Sequence, residues 1–222
     1  MKKSKVLILS LMISILALST ACASKDAAKL NMGKVDGSKY TNKYFGFSVE
    51  VPKNWTVLEE KIKDEVNNRG KETKDGTVAG DNTQNDLSKE VTLNLFSATM
   101  RPVGDTKYEY DQFNPNFALI AENLSLNSDV KSSNDYLLKI KKRLGNLVQI
   151  PYKFKKGNYP KKIGGELFDV MEVKIESATV VITQNYYARK VNGYILCFVA
   201  TYSSDIGQKE LDGIVNTVKM TK

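Results

Sequence analysis

The chain has 222 residues, with 33 Lys and Arg against 25 Asp and Glu, no histidine, and a formal net charge of +8 at pH 7. The missing histidine excludes Ser-His-Asp and Cys-His catalysis and zinc sites built on imidazole. Two cysteines are too few for a Cys-only zinc site, and the length suits one core-bearing domain with extra segments.

Lys2, Lys3 and Lys5 precede an apolar run from Val6 to Leu18, followed by Ser19-Thr20-Ala21-Cys22. A basic start, a short apolar core and small residues before a cut site describe an export signal. The cysteine after the cut resembles the lipobox of bacterial lipoproteins, although Ser19 stands where the family prefers leucine. The alternative is an uncleaved anchor. Crossing hydrocarbon takes ~20 apolar residues, and Val6–Leu18 is thirteen long. Residues 1–21 are therefore expected to be a signal peptide, with Cys22 as the lipid attachment site. Both readings place the rest of the chain at the cell membrane, on the extracytoplasmic side. Cleavage would remove three lysines and leave a formal +5, which suits anionic lipid or wall polymers and makes nucleic acid an unexpected partner. With Cys22 acylated, Cys197 has no partner, so no internal disulfide is expected.

The stretch 22–39 contains ASKDAAKLNMGKVDGS and reads as a flexible tether. A single domain is expected over 40–222. Phe45, Phe47, Val49 and Val51 alternate with Gly46, Ser48 and Glu50, the period of a half-buried strand. Pro52-Lys53-Asn54 is a turn before a second strand at Trp55–Leu58. Residues 59–90 read as a polar insertion: a short charged helix over Glu59–Asn68, then a loop. Val91–Thr99 alternates as a strand, Met100–Asn116 is a loop, and Phe117–Leu124 reads as a buried strand, with a helix as the alternative. Ser132 or Ser133 caps a helix to about Val148, with Leu137, Ile140, Leu144, Leu147 and Val148 on its apolar face and Lys139, Lys142 and Arg143 facing away. Strands follow at Ile150–Lys155, Glu166–Ser177, Ala178–Arg189 and Tyr194–Tyr202. Asn192-Gly193 marks a hairpin whose two turn positions need positive φ. Asp205 is expected to cap a final helix, with Gln208 completing a capping box and Leu211, Ile214, Val215 and Val218 as its buried stripe. The sum is α+β: an antiparallel sheet of six or seven strands packed by helices.

Tyr44-Phe45-Gly46-Phe47-Ser48-Val49 with Pro52-Lys53-Asn54-Trp55, Asn114-Pro115-Asn116 before an apolar strand, the Asn192-Gly193 hairpin and the Leu211/Ile214 helix resemble the Mog1/PsbP-like superfamily over residues 40–220. The resemblance implies an α-β-α sandwich that acts as a binding or assembly factor. Those are packing and turn residues, and they carry over no binding residue.

Several candidates stand beside plainer readings. Cys197 lies in the apolar run Ile195–Val199 and reads as a buried small hydrophobe rather than a reactive thiol. Ser128-Asp129-Val130-Lys131 matches S-x-x-K, but no K-[ST]-G accompanies it, so it reads as a loop. Asp75, Asp81, Asn85 and Asp86 miss the glycine and glutamate of a calcium loop. Lys139–Arg143, Lys155-Lys156 and Lys161-Lys162 suit either a solvated face or an anionic membrane. Tyr186, Tyr187, Tyr194 and Tyr202 fall on late strands and could bind a sugar or peptide, although adjacent Tyr186 and Tyr187 must point to opposite faces. The expectation is a monomeric, non-enzymatic envelope lipoprotein that binds or assembles another envelope protein, without metal or cofactor. The alternative is a lipoprotein that binds a small ligand, a metal, sugar or peptide, for uptake or sensing.

Overall fold

The computed structural model describes residues 29–58, 86–104, 113–127, 129–147, 150–176 and 180–221. The signal, Cys22, the expected helix and loop of 59–85 and Ser128 lie outside the described residues. Strands β1 (Lys34–Asp36), β2 (Lys39–Asn42), β3 (Phe47–Glu50) and β4 (Thr56–Val57) come first. Then follow β5 (Thr92–Thr99), β6 (Asn116–Asn123), helix α1 (Ser133–Gly145) and β7 (Tyr152–Phe154). The last third holds β8 (Tyr159–Ile163), β9 (Glu166–Glu176), β10 (Val181–Val191), β11 (Tyr194–Tyr202), α2 (Asp205–Thr217) and β12 (Lys219–Met220).

Two antiparallel sheets result. The larger has eight strands in the order β4-β5-β6-β11-β10-β9-β7, with β8 also on β9, and the smaller runs β1-β2-β3-β12. The alternation of apolar residues decides which side chain meets which layer. Phe117, Leu119 and Ala121 of β6, with Leu196, Phe198 and Ala200 of β11, face a core shared with β2, β3 and α2. Ile195 and Cys197 of β11, with Met171 and Val173 of β9, face a second core under α1. The eight-stranded sheet is thus covered by α1 on one face and by α2 and the small sheet on the other. This is the expected α+β architecture with helices on both sides.

Phe198 anchors the first core, with the rings of Phe47, Phe117 and Phe168 at 5.5, 6.1 and 5.2 Å. A register shift between Asn94 and Phe96 lets adjacent Leu95 and Phe96 both point into it. The Asn192-Gly193 hairpin has the anticipated geometry, with φ of 49° and 79°.

Several details differ from the sequence reading. Strands β1, β2, β8 and β12 are additional. Each is short, and short polar strands such as Lys34–Asp36 carry no period-two signal. Within the expected tether, residues 29–39 are built into the fold: Leu30 and Met32 pack on the first core, and the Tyr40 hydroxyl donates to the Met32 carbonyl at 2.8 Å. Within the expected polar insertion, Leu87 packs on the core, and Asp86 caps a 3-10 turn at Leu87–Lys89. Ser132 is the N-cap of α1, in a capping box with Asp135, and the helix stops at Gly145, leaving Leu147 exposed. Ser204, not Asp205, caps α2: its hydroxyl accepts from the Gly207 amide at 3.2 Å, and Asp205 is the first helical residue, where the helix dipole favours its charge. The stripe Leu211, Ile214, Val215 and Val218 is buried as expected.

Candidate functional site

On β10, Thr183, Asn185 and Tyr187 point to the face that carries α2, while Tyr186 points to the α1 side. Asn185 stands opposite Ala200 of β11 and Glu172 of β9, and Thr183 stands opposite Tyr202. The small Ala200 leaves room beside Asn185, so the side chains of Tyr187 and Tyr202 converge on its amide. Helix α2 closes one side. Gly207 makes that possible, because a Cβ there would sit 2.8 Å from Pro115 and 3.2 Å from Tyr202. The close seat puts Asp212 near the tyrosines, where Lys161 of β8 pairs with it at 3.9 Å and lies 5.3 Å from the Tyr187 ring centroid. The other side is formed by Tyr159, 37% exposed, with Lys155 5.2 Å over its ring and bonded to Glu172 at 3.1 Å.

The phenols of Tyr187 and Tyr202 stay protonated at neutral pH. Burial pushes the Tyr187 hydroxyl well above its ordinary pKa, with Asp212 adding to it and Asn185 opposing. Tyr202 is raised for the same first reason, again opposed by Asn185. The hydrogen bond to Glu172 raises Lys155, so it stays a cation. Asn185 Oδ1 is buried and has no hydrogen-bond partner among the described residues. An unpaired buried acceptor costs about 1–3 kcal/mol, and a ligand donor reaches this one only once the side chains that cover it move aside. The site is thus an aromatic and amide surface rimmed by ion pairs, fit for a polar, hydroxyl- or amide-bearing partner.

The sequence brought forward Tyr187 and Tyr202 as late-strand tyrosines, and the structure places them together. Tyr186 and Tyr194 belong elsewhere: Tyr186 is in the α1 core, and Tyr194 packs edge-on against Phe45 at 5.4 Å. Asn185, Asp212 and Glu172 come from three separate elements and carry no motif, so only the strand register reveals them. A cleft of about 310 Å³ lies between the end of β3 and α2, lined by Glu50, Pro52, Lys209 and Glu210 among others. Thr217 spans its floor, bonding the Glu50 backbone amide and carbonyl at 2.9 Å each. It is a seam between elements.

The remaining candidates are structural. Cys197 is fully buried, and burial pushes its thiol up, out of the reactive range. Asp86 accepts from the Ser88 amide and hydroxyl at 3.1 and 2.6 Å in its turn. No group of three or more metal-ligating side chains occurs among the described residues. Lys139, expected to face away, donates to Asn127 Oδ1, and Asn127 Nδ2 donates to the buried Glu122 carboxylate at 2.5 Å. This network under α1 compensates a carboxylate that is 6% exposed. Cys22 lies outside the described residues.

No known protein family matches the sequence, and no curated protein matches it. Among solved structures, the chain is similar to cyanobacterial PsbP (CyanoP) from Synechocystis, at 12% identity over 87% of this chain and 98% of that one, with a TM-score of 0.49. It is also similar to LpqN of Mycobacterium tuberculosis, a protein involved in cell envelope biogenesis, at 12% identity over 79% of this chain and 83% of that one, with a TM-score of 0.42.

Proposed function

We propose that the chain is an extracytoplasmic, lipid-anchored module that binds or assembles another envelope component through a Mog1/PsbP-like domain and catalyses no reaction. The observation that carries this reading is the sequence from Lys2 to Cys22: a basic start, a short apolar run and Ala21 before the cysteine. Two acyl chains on Cys22 would hold the protein stably, since each buried CH₂ contributes ~0.8 kcal/mol. The exposed Tyr159 and the half-buried Tyr202, beside Asn185, support the binding part, because their hydroxyls and the amide donate and accept hydrogen bonds.

The test is metabolic labelling with an alkyne fatty acid, followed by in-cell crosslinking and mass spectrometry. Label on the wild type and none on Cys22→Ala, with a reproducible partner lost in Asn185→Ala, is the expected result. An unlabelled wild type removes the anchor. A labelled protein with no partner above control removes the assembly reading. A second reading, a small polar ligand such as a sugar or peptide, draws on the unpartnered Asn185 Oδ1. It predicts that a mixture of such ligands raises the melting temperature of the wild type but not of Asn185→Ala.

A further inference from the structure

Among the described residues, no element covers the outer face of α1. Leu138 is 50% exposed, and Leu147 and Ile150, just past the helix end, are 46% and 40% exposed. Between them lie Lys141, Lys142 and Arg143, and the sequence from Leu138 to Ile150 contains no acid. Lys142 sits one turn from Leu138 on the same face, while Lys141 leans 5.3 Å over the Phe154 ring. Among the described residues, the ion pairs of the molecule engage none of these three cations. Asp135, the acid in the first turn, is committed to the capping box.

We infer that this face of α1, with the turn through Leu147 and Ile150, lies on an anionic lipid surface. Cations alone would suit any polyanion. Aliphatic side chains flanking the cations suit a bilayer, where the cations meet headgroups and the aliphatics reach the acyl boundary. A soluble polyanion offers those aliphatics nothing. The chain outside the structure points the same way, and here the inference rests on the membrane anchor proposed above. Cys22 precedes Lys29 by seven residues, which span at most about 25 Å. Leu30, where the tether enters the fold, packs on the same core as Leu87, in the turn capped by Asp86. That turn is bonded to Asn123, and the neighbouring Leu124 amide is bonded to the Gly193 carbonyl. Lys190, at the same hairpin, donates to the Lys131 carbonyl at 3.3 Å, directly before α1 begins. The tether and the start of α1 therefore share one end of the molecule, and the membrane is within reach of the face.

The test uses the full chain reconstituted into vesicles. Trp55 is the sole tryptophan and is buried, so Trp55→Phe gives a dark background. Leu138→Trp is then compared with Val35→Trp, which sits on the small sheet across the sandwich. In phosphatidylglycerol vesicles with brominated lipid, the Leu138→Trp indole should be quenched and the Val35→Trp indole should not. The difference should vanish in phosphatidylcholine, in high salt, and on reversing Lys141, Lys142 and Arg143 to glutamate. Since each cation near an anionic surface is worth about 1 kcal/mol, reversal should lower the equilibrium constant for docking of this face by at least about 100-fold. Equal quenching at both positions, or quenching indifferent to lipid charge, would overturn the inference. Hydrogen exchange across residues 133–145 of the unsubstituted chain gives a second readout free of substitutions. Protection by soluble polyphosphate but not by anionic vesicles would assign the face to a polyanion and overturn the lipid assignment. The mass of the Cys22 peptide is read on the same preparation. An unacylated chain that is still quenched counts against the anchor alone, and an acylated chain without quenching counts against the face alone.

Discussion

Lys139 and Lys142 look alike in the sequence, two lysines on the polar side of an amphipathic helix. The structure separates them. Lys142 is exposed and makes no ion pair among the described residues, whereas Lys139 bends inward to Asn127 and through it compensates buried Glu122. Lys139→Met should therefore cost about 1–3 kcal/mol, the range for leaving a buried polar group short of a partner. Lys142→Met should stay within about 0.5 kcal/mol, as surface changes do. Urea titration of the two variants checks this, and equal losses would remove the network's role. The difference was illegible in the sequence because Glu122 and Asn127 reach α1 only through the fold. Cys197 was legible. An apolar strand around a lone thiol implies burial, and with its pKa pushed up the thiol should react with maleimide only after unfolding in guanidinium. Rapid labelling of the native protein with Cys22 replaced by alanine would contradict that.

At the scale of elements, the long alternating runs were readable from sequence and the short pieces were not. Val91–Thr99 and the apolar stripe of α2 announced themselves by period, Asn192-Gly193 by its turn chemistry, and Tyr194–Tyr202 as the apolar run returning from that turn. Strands β1, β8 and β12 owe their existence to edges offered by longer neighbours, so no local pattern marks them. The cap of α2 was misplaced by one residue because Ser204 and Asp205 are both good cap formers, and only the Ser204 hydroxyl reaches the Gly207 amide. Two glycines in this one helix test how tightly it is seated. Gly213 is exposed, and a Cβ added there would meet nothing within 4 Å, so Gly213→Ala should stabilise the protein by up to about 1 kcal/mol through helix propensity alone. Gly207→Ala gains the same propensity but drives a methyl to 2.8 Å from Pro115, and overpacking of that kind costs about 1–3 kcal/mol. Thermal melts of opposite sign are expected. If both variants melt higher, α2 can slide away from Pro115, and the Asp212 side of the candidate site is not held as described.

The whole molecule buries tyrosine on both sides of its central sheet, and this ties stability to alkaline pH. Tyr40 and Tyr187 lie in the core under the small sheet and α2, and Tyr136 and Tyr186 lie under α1. Burial raises all four, Tyr40 to about 12. A phenol ionises near pH 10 once unfolded. Between that value and the native one, the unfolded chain has released a proton that the native protein still holds, so stability falls as pH rises. The contribution is fully present below pH 10 and is lost progressively above it, at roughly 1.4 kcal/mol per pH step for each such group. Urea midpoints should be little affected by these groups up to about pH 10 and drop steeply beyond it. Phenolate absorbance should rise in two stages, exposed tyrosines first and the buried set together with loss of the near-ultraviolet circular dichroism signal. The two stages follow from the sandwich itself, because the buried rings are spread over both cores and cannot meet solvent until α1, α2 and the small sheet have all come away. A single gradual ionisation near pH 10, with the fold intact, would mean that water reaches these rings in the native state and that the two cores are not closed as the register and packing indicate.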